Sequence, residues 1–364
     1  MRWYAAVKTI SLIIPCYNEE ETLAGCVERV LHLKDDGHMN LEIVIVDDCS
    51  TDDSLRIAKE LAERHPEIKI CKHDVNQGKG AALRTGFLEA TGDFVGIQDA
   101  DLEYDPMDYK KLVKPLDEGK ADVVYGSRYL RPETRRVLYF WHTQMNRFLT
   151  FCSNAFTDLG ITDMETCYKL FSREVIQKIA PKLKENRFGF EPEITALISE
   201  ERCRVYECAI SYNPRTFEEG KKIGWKDGVR ALYCIFHYGA HNAPLPVHLL
   251  IYFFIGAISA VVNITTFALI FGPVGLMPAT IIAFVVAAAC NYLLCITLLF
   301  KHLVRWRLGS ELGVYFVGVF ALWGFDYAVT AGLIGVGVGA VLAKSVSSAV
   351  GFVANYLFRK YMVF

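Results

Sequence analysis

The sequence predicts an α/β domain built on a doubly wound, mostly parallel sheet, followed by an all-α membrane domain of four helices. Three observations carry that expectation. Short apolar runs alternate with amphipathic stretches through the first hundred residues; no Asp, Glu, Lys or Arg occurs between Ala231 and Phe300; and an apolar two-segment pattern recurs within the C-terminal third.

The chain has 364 residues, is 52% hydrophobic and carries a formal net charge of −2. That average hides two unlike parts. Residues 1–246 hold 33 Lys and Arg against 39 Asp and Glu, whereas residues 247–364 hold six basic side chains and only two acidic ones, Glu311 and Asp326. A soluble domain cannot leave so long a stretch without surface charge, so the second part is read as membrane-embedded. The divisions expected are 1–224 for the α/β domain, 225–246 for an interfacial helix and linker, and 247–364 for the spans. Met1 to Thr9 has neither the apolar core nor the small-residue cleavage site of a signal peptide, which places the first domain in the cytosol. Eleven cysteines without C-x-x-C spacing read as reduced, mostly buried thiols. No nucleic acid polymer is expected as a partner.

Each element of the first domain has its own signal. Ser11–Pro15 is a short apolar run closed by proline, a buried strand. Asn18–Thr22 is expected to open a helix with acids in its first turn, where the dipole favours them. Glu42–Val46 is a second strand ending at Asp47 and Asp48, Asp53–Arg64 a helix, and Ile68–Cys71 a third strand. Lys79–Ala90 is again helical, and Asp93–Ile97 is a fourth strand. Strands alternating with helices at this spacing form doubly wound sheets, whose ligands bind at the strands' carboxyl ends. Those ends carry Pro15-Cys-Tyr-Asn-Glu19, Asp47-Asp48 and Gln98-Asp-Ala-Asp101, and their convergence marks a site.

In an extended segment, positions i and i+2 face one side. Asp101 and Glu103 are therefore expected to offer two hard oxygen ligands to one Mg²⁺ or Mn²⁺, with a substrate diphosphate completing the shell. Asn76-Gln-Gly-Lys-Gly80 opens a helix and can bring backbone N–H groups and Lys79 near phosphate. Neither G-x-G-x-x-G after the first strand nor G-x-x-x-x-G-K-[ST] occurs, which argues against dinucleotide oxidoreductases and P-loop enzymes.

The set Ile14-Pro-Cys-Tyr-Asn-Glu19, Val46-Asp-Asp48, Asn76-Gln-Gly-Lys-Gly80, Asp99-Ala-Asp101 and Gly126-Ser-Arg-Tyr129 resembles the family 2 glycosyltransferases with a GT-A fold. Within them it is most similar to the polyprenyl-phosphate hexose synthases, the group containing dolichol-phosphate mannose synthase. The resemblance covers residues 10–240. It implies nucleotide-binding roles for Pro15, Tyr17, Glu19, Val46 and Asp48, and puts Asp99, Ala100 and Asp101 on the sugar diphosphate and metal. Many relatives have Gln at the position of Glu103. Arg128 would hold a phosphate, of the donor or of the lipid acceptor. Tyr212–Lys222 resembles the family's R-x-x-G-x-S-K loop with extra spacing before the glycine, which carries over Arg215 and Lys222, with Lys221 as an alternative. Thr162–Leu170 occupies the acceptor-loop position, where Asp163 reads equally as a turn acid. The implied reaction is a single inverting displacement that moves a hexose from GDP-mannose, favoured slightly over UDP-glucose, to a polyprenyl or dolichyl phosphate. Because a phosphate acceptor is already anionic, it needs no strong general base. A transferase for another lipid-linked acceptor, or a lipid-linked-sugar transporter with a non-catalytic GT-A domain, remains the alternative.

Two stretches suit the bilayer surface. Tyr139, His142, Asn146, Leu149 and Ser153 lie at helical spacing behind Arg131, Arg135 and Arg136, with His142 and Asn146 as candidate contacts to the acceptor phosphate. Trp225 to His237 mixes aromatics with Lys226 and Arg230. Such stretches can lie at an interface or pack as a core helix. The apolar segments at about 248–271, 278–300, 312–333 and 338–358 each reach spanning length. Basic residues after the second (Lys301, Arg305, Arg307) and the fourth (Arg359, Lys360) put both chain ends in the cytosol. Asn291-Tyr-Leu293 recurs as Asn355-Tyr-Leu357, 64 residues on, and Asn263 is matched by Asp326. The pattern implies two parallel repeats of two helices and resembles the small GtrA-like domains fused to such transferases. Asn291 and Asn355 are read as interhelical hydrogen-bonding residues.

Overall fold

The computed structural model describes residues 7–34, 39–130, 136–214, 225–300 and 308–363, and the chain divides into two units, residues 1–242 and 243–364. The first is built on β1 (Thr9–Cys16), β2 (Asn40–Asp47), β3 (Ile68–Lys72), β4 (Phe94–Ile97), β5 (Val123–Ser127), β6 (Lys169–Ser172) and β7 (Val205–Ala209). They form one sheet in the order β3-β2-β1-β4-β6-β5-β7. β6 runs antiparallel to both of its neighbours, and the other pairs are parallel. The helices are α1 (Leu23–Leu31), α2 (Ser54–Arg64), α3 (Lys79–Glu89), α4 (Tyr109–Asp117), α5 (Phe140–Thr157), α6 (Arg173–Ile179), α7 (Phe190–Glu200) and α8 (Trp225–Gly239).

Both faces of the central strands are covered, which is why β1 and β4 read as continuous apolar runs. The helix α3 lies close on the sheet: a methyl group at Gly86 would come 2.1 Å from the Ile13 side chain. The first-turn acids expected to open a helix stand outside it, since α1 begins at Leu23. Asn18 takes a left-handed φ of 55°, with its Oδ1 accepting the Thr51 N–H at 2.8 Å, and the Glu19 carbonyl closes a separate turn onto Thr22 and Leu23. The loop after β1 is thus held to the loop after β2 before the helix can start.

The helix α8 packs against α5 and α7 and belongs to the first unit, residues 1–242. The helix α5 packs one side into the unit and exposes the other. It buries polar Asn146, Thr150, Ser153 and Thr157, and leaves Trp141, Met145, Phe148 and Phe151 exposed.

The second unit contains α9 (Leu245–Val274), α10 (Leu276–Leu294), α11 (Leu308–Gly335) and α12 (Ala340–Phe358). Among the described residues, Leu245–Val274 and Ile281–Leu299 are long and apolar enough to cross a membrane. α9 packs along α10, and α11 along α12. α10 and α12 each continue into a single π-helical turn, Cys295–Leu299 and Arg359–Val363, at positions that the 64-residue repeat superposes. Lys301, Arg305 and Arg307 lie outside the described residues, as does the side chain of Asp326.

Candidate active site

The strand order reverses direction of growth at β1/β4, the switch point where open sheets bind ligands. Register brings the three polar strand ends together: Pro15 pairs with Val46, Cys16 with Asp47, and Ile13 with Ile97. The convergence expected from the sequence is therefore present in the sheet.

Asp48 shapes the site through its neighbours. Its carboxylate accepts the backbone N–H groups of Gln77 at 2.9 Å and Gly78 at 2.6 Å, and Nδ1 of His73 at 2.7 Å. Buried and so engaged, it fixes the Asn76–Gly80 loop. Only glycine suits position 78, where φ is +98° and an added methyl would fall 2.4 Å from the Asn186 carbonyl oxygen. Held this way, the loop starts α3 at Lys79. The Lys79 ammonium lies 2.9 Å and 3.0 Å from the two oxygens of Asp99 and 3.5 Å from Glu191 Oε1. Burial opposes its charge, but Asp99 and Glu191 outweigh burial and raise its pKa well above the usual lysine value.

Asp99 and Asp101 follow β4, on either side of buried Ala100. The expectation that Asp101 and Glu103 face one side requires an extended segment, and the structure corrects it. Leu102 is left-handed, φ 60°, so the chain turns, and the Glu103 N–H folds back onto Asp101 Oδ1 at 3.2 Å. Glu103 Oε2 accepts the Tyr212 hydroxyl at 2.8 Å. Cys26 and Cys167 lie under this turn. Burial first, then the carboxylates of Asp101 and Asp99, push both thiols up; they stay neutral beside the acids.

Arg128 points inward. Its Nε and Nη2 make a forked pair with Asp163 at 2.7 Å and 2.8 Å, and its backbone N–H adds a third bond at 3.0 Å. Burial disfavours the guanidinium, Asp163 overrides it, and the pKa is raised. The pair therefore ties the end of β5 to the segment Thr162–Leu170, whereas the sequence reading offered this arginine directly to a phosphate. Arg128 also lies 5.1 Å from the Tyr212 ring centre, so Tyr212 joins it to Glu103.

The remaining expected residues divide. Pro15 and Glu19 are half-buried at the rim, and Tyr17 is exposed. Glu19 Oε2 accepts the Thr22 hydroxyl at 2.9 Å. The Val46 side chain is fully buried against α3, which leaves it no direct side-chain contact with a ligand. Asn146 donates to the Tyr129 hydroxyl at 3.1 Å, and His142 is half-buried one turn earlier. Arg215, Lys221 and Lys222 lie outside the described residues, as do Arg131 and Arg135.

Sequence reasoning missed Glu165 and Glu191. Burial, then the Glu191 charge, push the Glu165 carboxyl up to about 8, and its Oε1 is buried with no hydrogen-bond partner among the described residues. Glu191 sits in the first turn of α7, within reach of Lys79. Glu185, next to the Asn76–Gly80 loop, accepts Arg230 Nη2 at 2.8 Å and the Tyr238 hydroxyl at 3.1 Å. α8 is thereby joined to the loop that carries Lys79.

Fold and strand-end carboxylates together define the class, a mostly parallel α/β sheet of GT-A type. Residues 11–180 match the model of glycosyl transferase family 2, and residues 251–364 match that of the GtrA/DPMS transmembrane domain. The chain thus carries a family 2 glycosyltransferase domain followed by a GtrA/DPMS transmembrane domain. Two dolichyl-phosphate beta-glucosyltransferases of Trichomonas vaginalis are similar, one 28% identical over 217 residues and one 30% identical over 220. Each match covers 56% of this chain and 65% of the relative, so the chain spans just under two thirds of their length. The crystal structure of mannosyl-3-phosphoglycerate synthase from Rubrobacter xylanophilus shares the fold, with TM-score 0.50 and 17% identity over 63% of this chain and 73% of that one.

Proposed function

We propose that the chain transfers a hexose from a nucleotide sugar to the phosphate of a polyprenyl or dolichyl lipid at the cytosolic membrane face. The observation that carries this reading is Asp99, clamped by Lys79, emerging with Asp101 from β4 at the switch point of the sheet. The names of the similar proteins favour glucose as the sugar transferred; mannose from GDP-mannose, slightly favoured from the sequence, is the alternative.

The donor set suits Mg²⁺ or Mn²⁺. Such ions need only one or two carboxylates when substrate phosphates supply further oxygens, and no group of three or more acidic, His or Cys ligands occurs among the described residues. Asp101 is the ligand this geometry favours, with Glu103 entering by release from Tyr212. A bound ion would stabilise negative charge on the departing diphosphate.

The chain's own residues do the rest. Lys79, paired with both carboxylate oxygens of Asp99, orients it beneath the donor. The Arg128–Asp163 pair positions the acceptor loop, and His142 and Asn146 present polar groups from α5 toward the acceptor phosphate. An acceptor phosphate oxygen forms the new bond to the anomeric carbon as the bond from that carbon to the diphosphate oxygen breaks, the electron pair leaving with the nucleoside diphosphate. Attack opposite the leaving group inverts the anomeric configuration. The exposed aromatics of α5, with Val229, Leu232 and Tyr233 of α8, support delivery of the acceptor from lipid.

Purified protein is incubated with polyprenyl phosphate and either labelled UDP-glucose or labelled GDP-mannose. Label from one donor enters the organic phase if the reading holds. Transfer from neither, or only to water-soluble acceptors, refutes it.

A further inference from the structure

The segment from Asp163 to Lys169 is anchored along its length. Asp163 holds Arg128, and the Met164 N–H donates to Thr150 Oγ1 at 3.1 Å. The buried Lys169 ammonium donates to the Met164 carbonyl at 3.0 Å and to the Thr166 carbonyl. The Cys167 N–H donates to the Tyr104 hydroxyl at 3.3 Å, and its thiol to the Ile97 carbonyl at 3.6 Å. Two side-chain oxygens on this segment stand apart: Glu165 Oε1 and Thr166 Oγ1 are buried with no hydrogen-bond partner among the described residues.

Burying a polar atom without a partner is costly. Native structures keep few such atoms, and each calls for an explanation in strain, function or a group that completes the bonding. Slack in the chain does not explain these two, because the backbone around them is pinned to α5 and to the ends of β4 and β5. Their surroundings narrow the choice. Cys167 lies against Ile97, two residues before Asp99. The Glu165 carboxyl feels the Glu191 charge, and Glu191 reaches the Lys79 ammonium that grips Asp99. The segment thus runs beside the pair placed under the donor diphosphate, and the hexose is the part of the donor joined directly to that diphosphate.

A threonine hydroxyl both donates and accepts, as does a carboxyl that keeps its proton. Burial, then the Glu191 charge, push the Glu165 carboxyl up to about 8; Lys169, Arg128 and Asp163 are the other charged groups near it. Sugar hydroxyls also donate and accept, and sites that hydrogen-bond a substrate hydroxyl discriminate strongly against analogues lacking it. We propose that Glu165 and Thr166 hydrogen-bond hydroxyls of the donor's sugar ring and so select the hexose. The inference rests on the donor-site reading given above.

Full-length protein in detergent with Mg²⁺ is titrated calorimetrically with UDP-glucose, GDP-mannose, UDP and GDP. For the sugar nucleotide that binds more tightly, Glu165→Leu and Thr166→Val should each weaken affinity about tenfold, the scale of one hydrogen bond lost from a buried group. The matching diphosphate should bind both variants as it binds the parent. Glu165→Gln keeps a donor and an acceptor and should fall well short of the loss in Glu165→Leu. Monodeoxy sugars then locate the contact: with the hydroxyl that Glu165 meets already missing, Glu165→Leu should cost nothing more. Thr166→Val is nearly isosteric and decides the matter if Glu165→Leu fails to fold, as judged by thermal unfolding. A parent that binds no nucleotide refutes the donor-site reading, and this inference with it. Where the sugar nucleotide binds, variants that bind it as the parent does, or that weaken diphosphate and sugar nucleotide equally, overturn this inference alone. So does a penalty that persists with every monodeoxy sugar, the mark of an internal water in the same place.

Discussion

Replacing Asp163 with Asn tests whether Arg128 is a structural strut of the acceptor loop. The carboxylate accepts three bonds from one residue, two from the guanidinium and one from the backbone, and the side chains are 6% and 0% exposed. Asparagine retains one acceptor oxygen but removes the charge, leaving a buried guanidinium uncompensated. Breaking a buried pair on one side costs about 3–5 kcal/mol. For a unit of this size that corresponds to roughly 6–20 °C in Tm. The assay is thermal unfolding of the full chain in detergent, followed by a neutral pair, Arg128→Met with Asp163→Leu, which should recover most of the loss because apolar replacement of a buried pair is often neutral. Transfer activity separates the roles. If the double variant regains Tm and also activity, Arg128 only positions; if Tm returns without activity, it contacts substrate as well. A single variant that unfolds within about 2 °C of the parent refutes the strut, since one uncompensated buried charge alone predicts more.

Other outcomes follow from the same geometry. Lys79→Met should raise the KM for the nucleotide sugar and lower kcat, in steady-state kinetics, because Asp99 loses its counter-charge; unchanged kinetics would remove the pair from the donor site. Glu165→Gln should stabilise the protein at pH 8 and change little at pH 4.5. The folded carboxyl holds its proton up to about pH 8 while the unfolded one releases it near 4.5, so native stability falls as pH rises through that window, by up to about 1.4 kcal/mol per unit. The difference in Tm between variant and parent across pH 5–8 measures it, and a flat difference contradicts the buried neutral acid. Arg230→Ala with Tyr238→Phe strips the guanidinium and phenol donors from Glu185. It should loosen the Asn76–Gly80 loop, read as faster amide exchange at residues 76–81; unchanged exchange there would show that α8 and the loop are uncoupled.

Much of the fold is legible in the sequence because strands buried on both faces must be continuously apolar. Ser11–Pro15, Glu42–Val46 and Asp93–Ile97 could hardly be read otherwise, and their polar ends had to meet once the sheet was parallel. What escaped was geometry set by loops packing on loops. Asn18 and Leu102 adopt left-handed conformations that no periodicity announces: the first leaves Glu19 outside α1, and the second turns the Glu103 N–H back onto Asp101 while Tyr212 takes its carboxylate. The partner of Arg128 was also hidden, since Asp163 is 35 residues away on the far side of the α5 excursion. The contact of Glu191 with Lys79 was hidden as well, because it exists only once the fold brings the starts of α3 and α7 together. In the membrane part, the repeat was visible in Asn291 and Asn355, but the π turns that it superposes have no periodicity to announce them.

The most direct test combines chelation with Asp101→Asn in the lipid-transfer assay, using the donor that proves active. The parent should lose transfer after exhaustive chelation and regain it with Mg²⁺ or Mn²⁺. The variant should fold and insert normally yet turn over at least about a hundredfold more slowly, the scale of removing one electrostatic stabiliser. Full transfer after chelation, or an Asp101→Asn protein as active as the parent, would contradict the role assigned to the carboxylates at the end of β4.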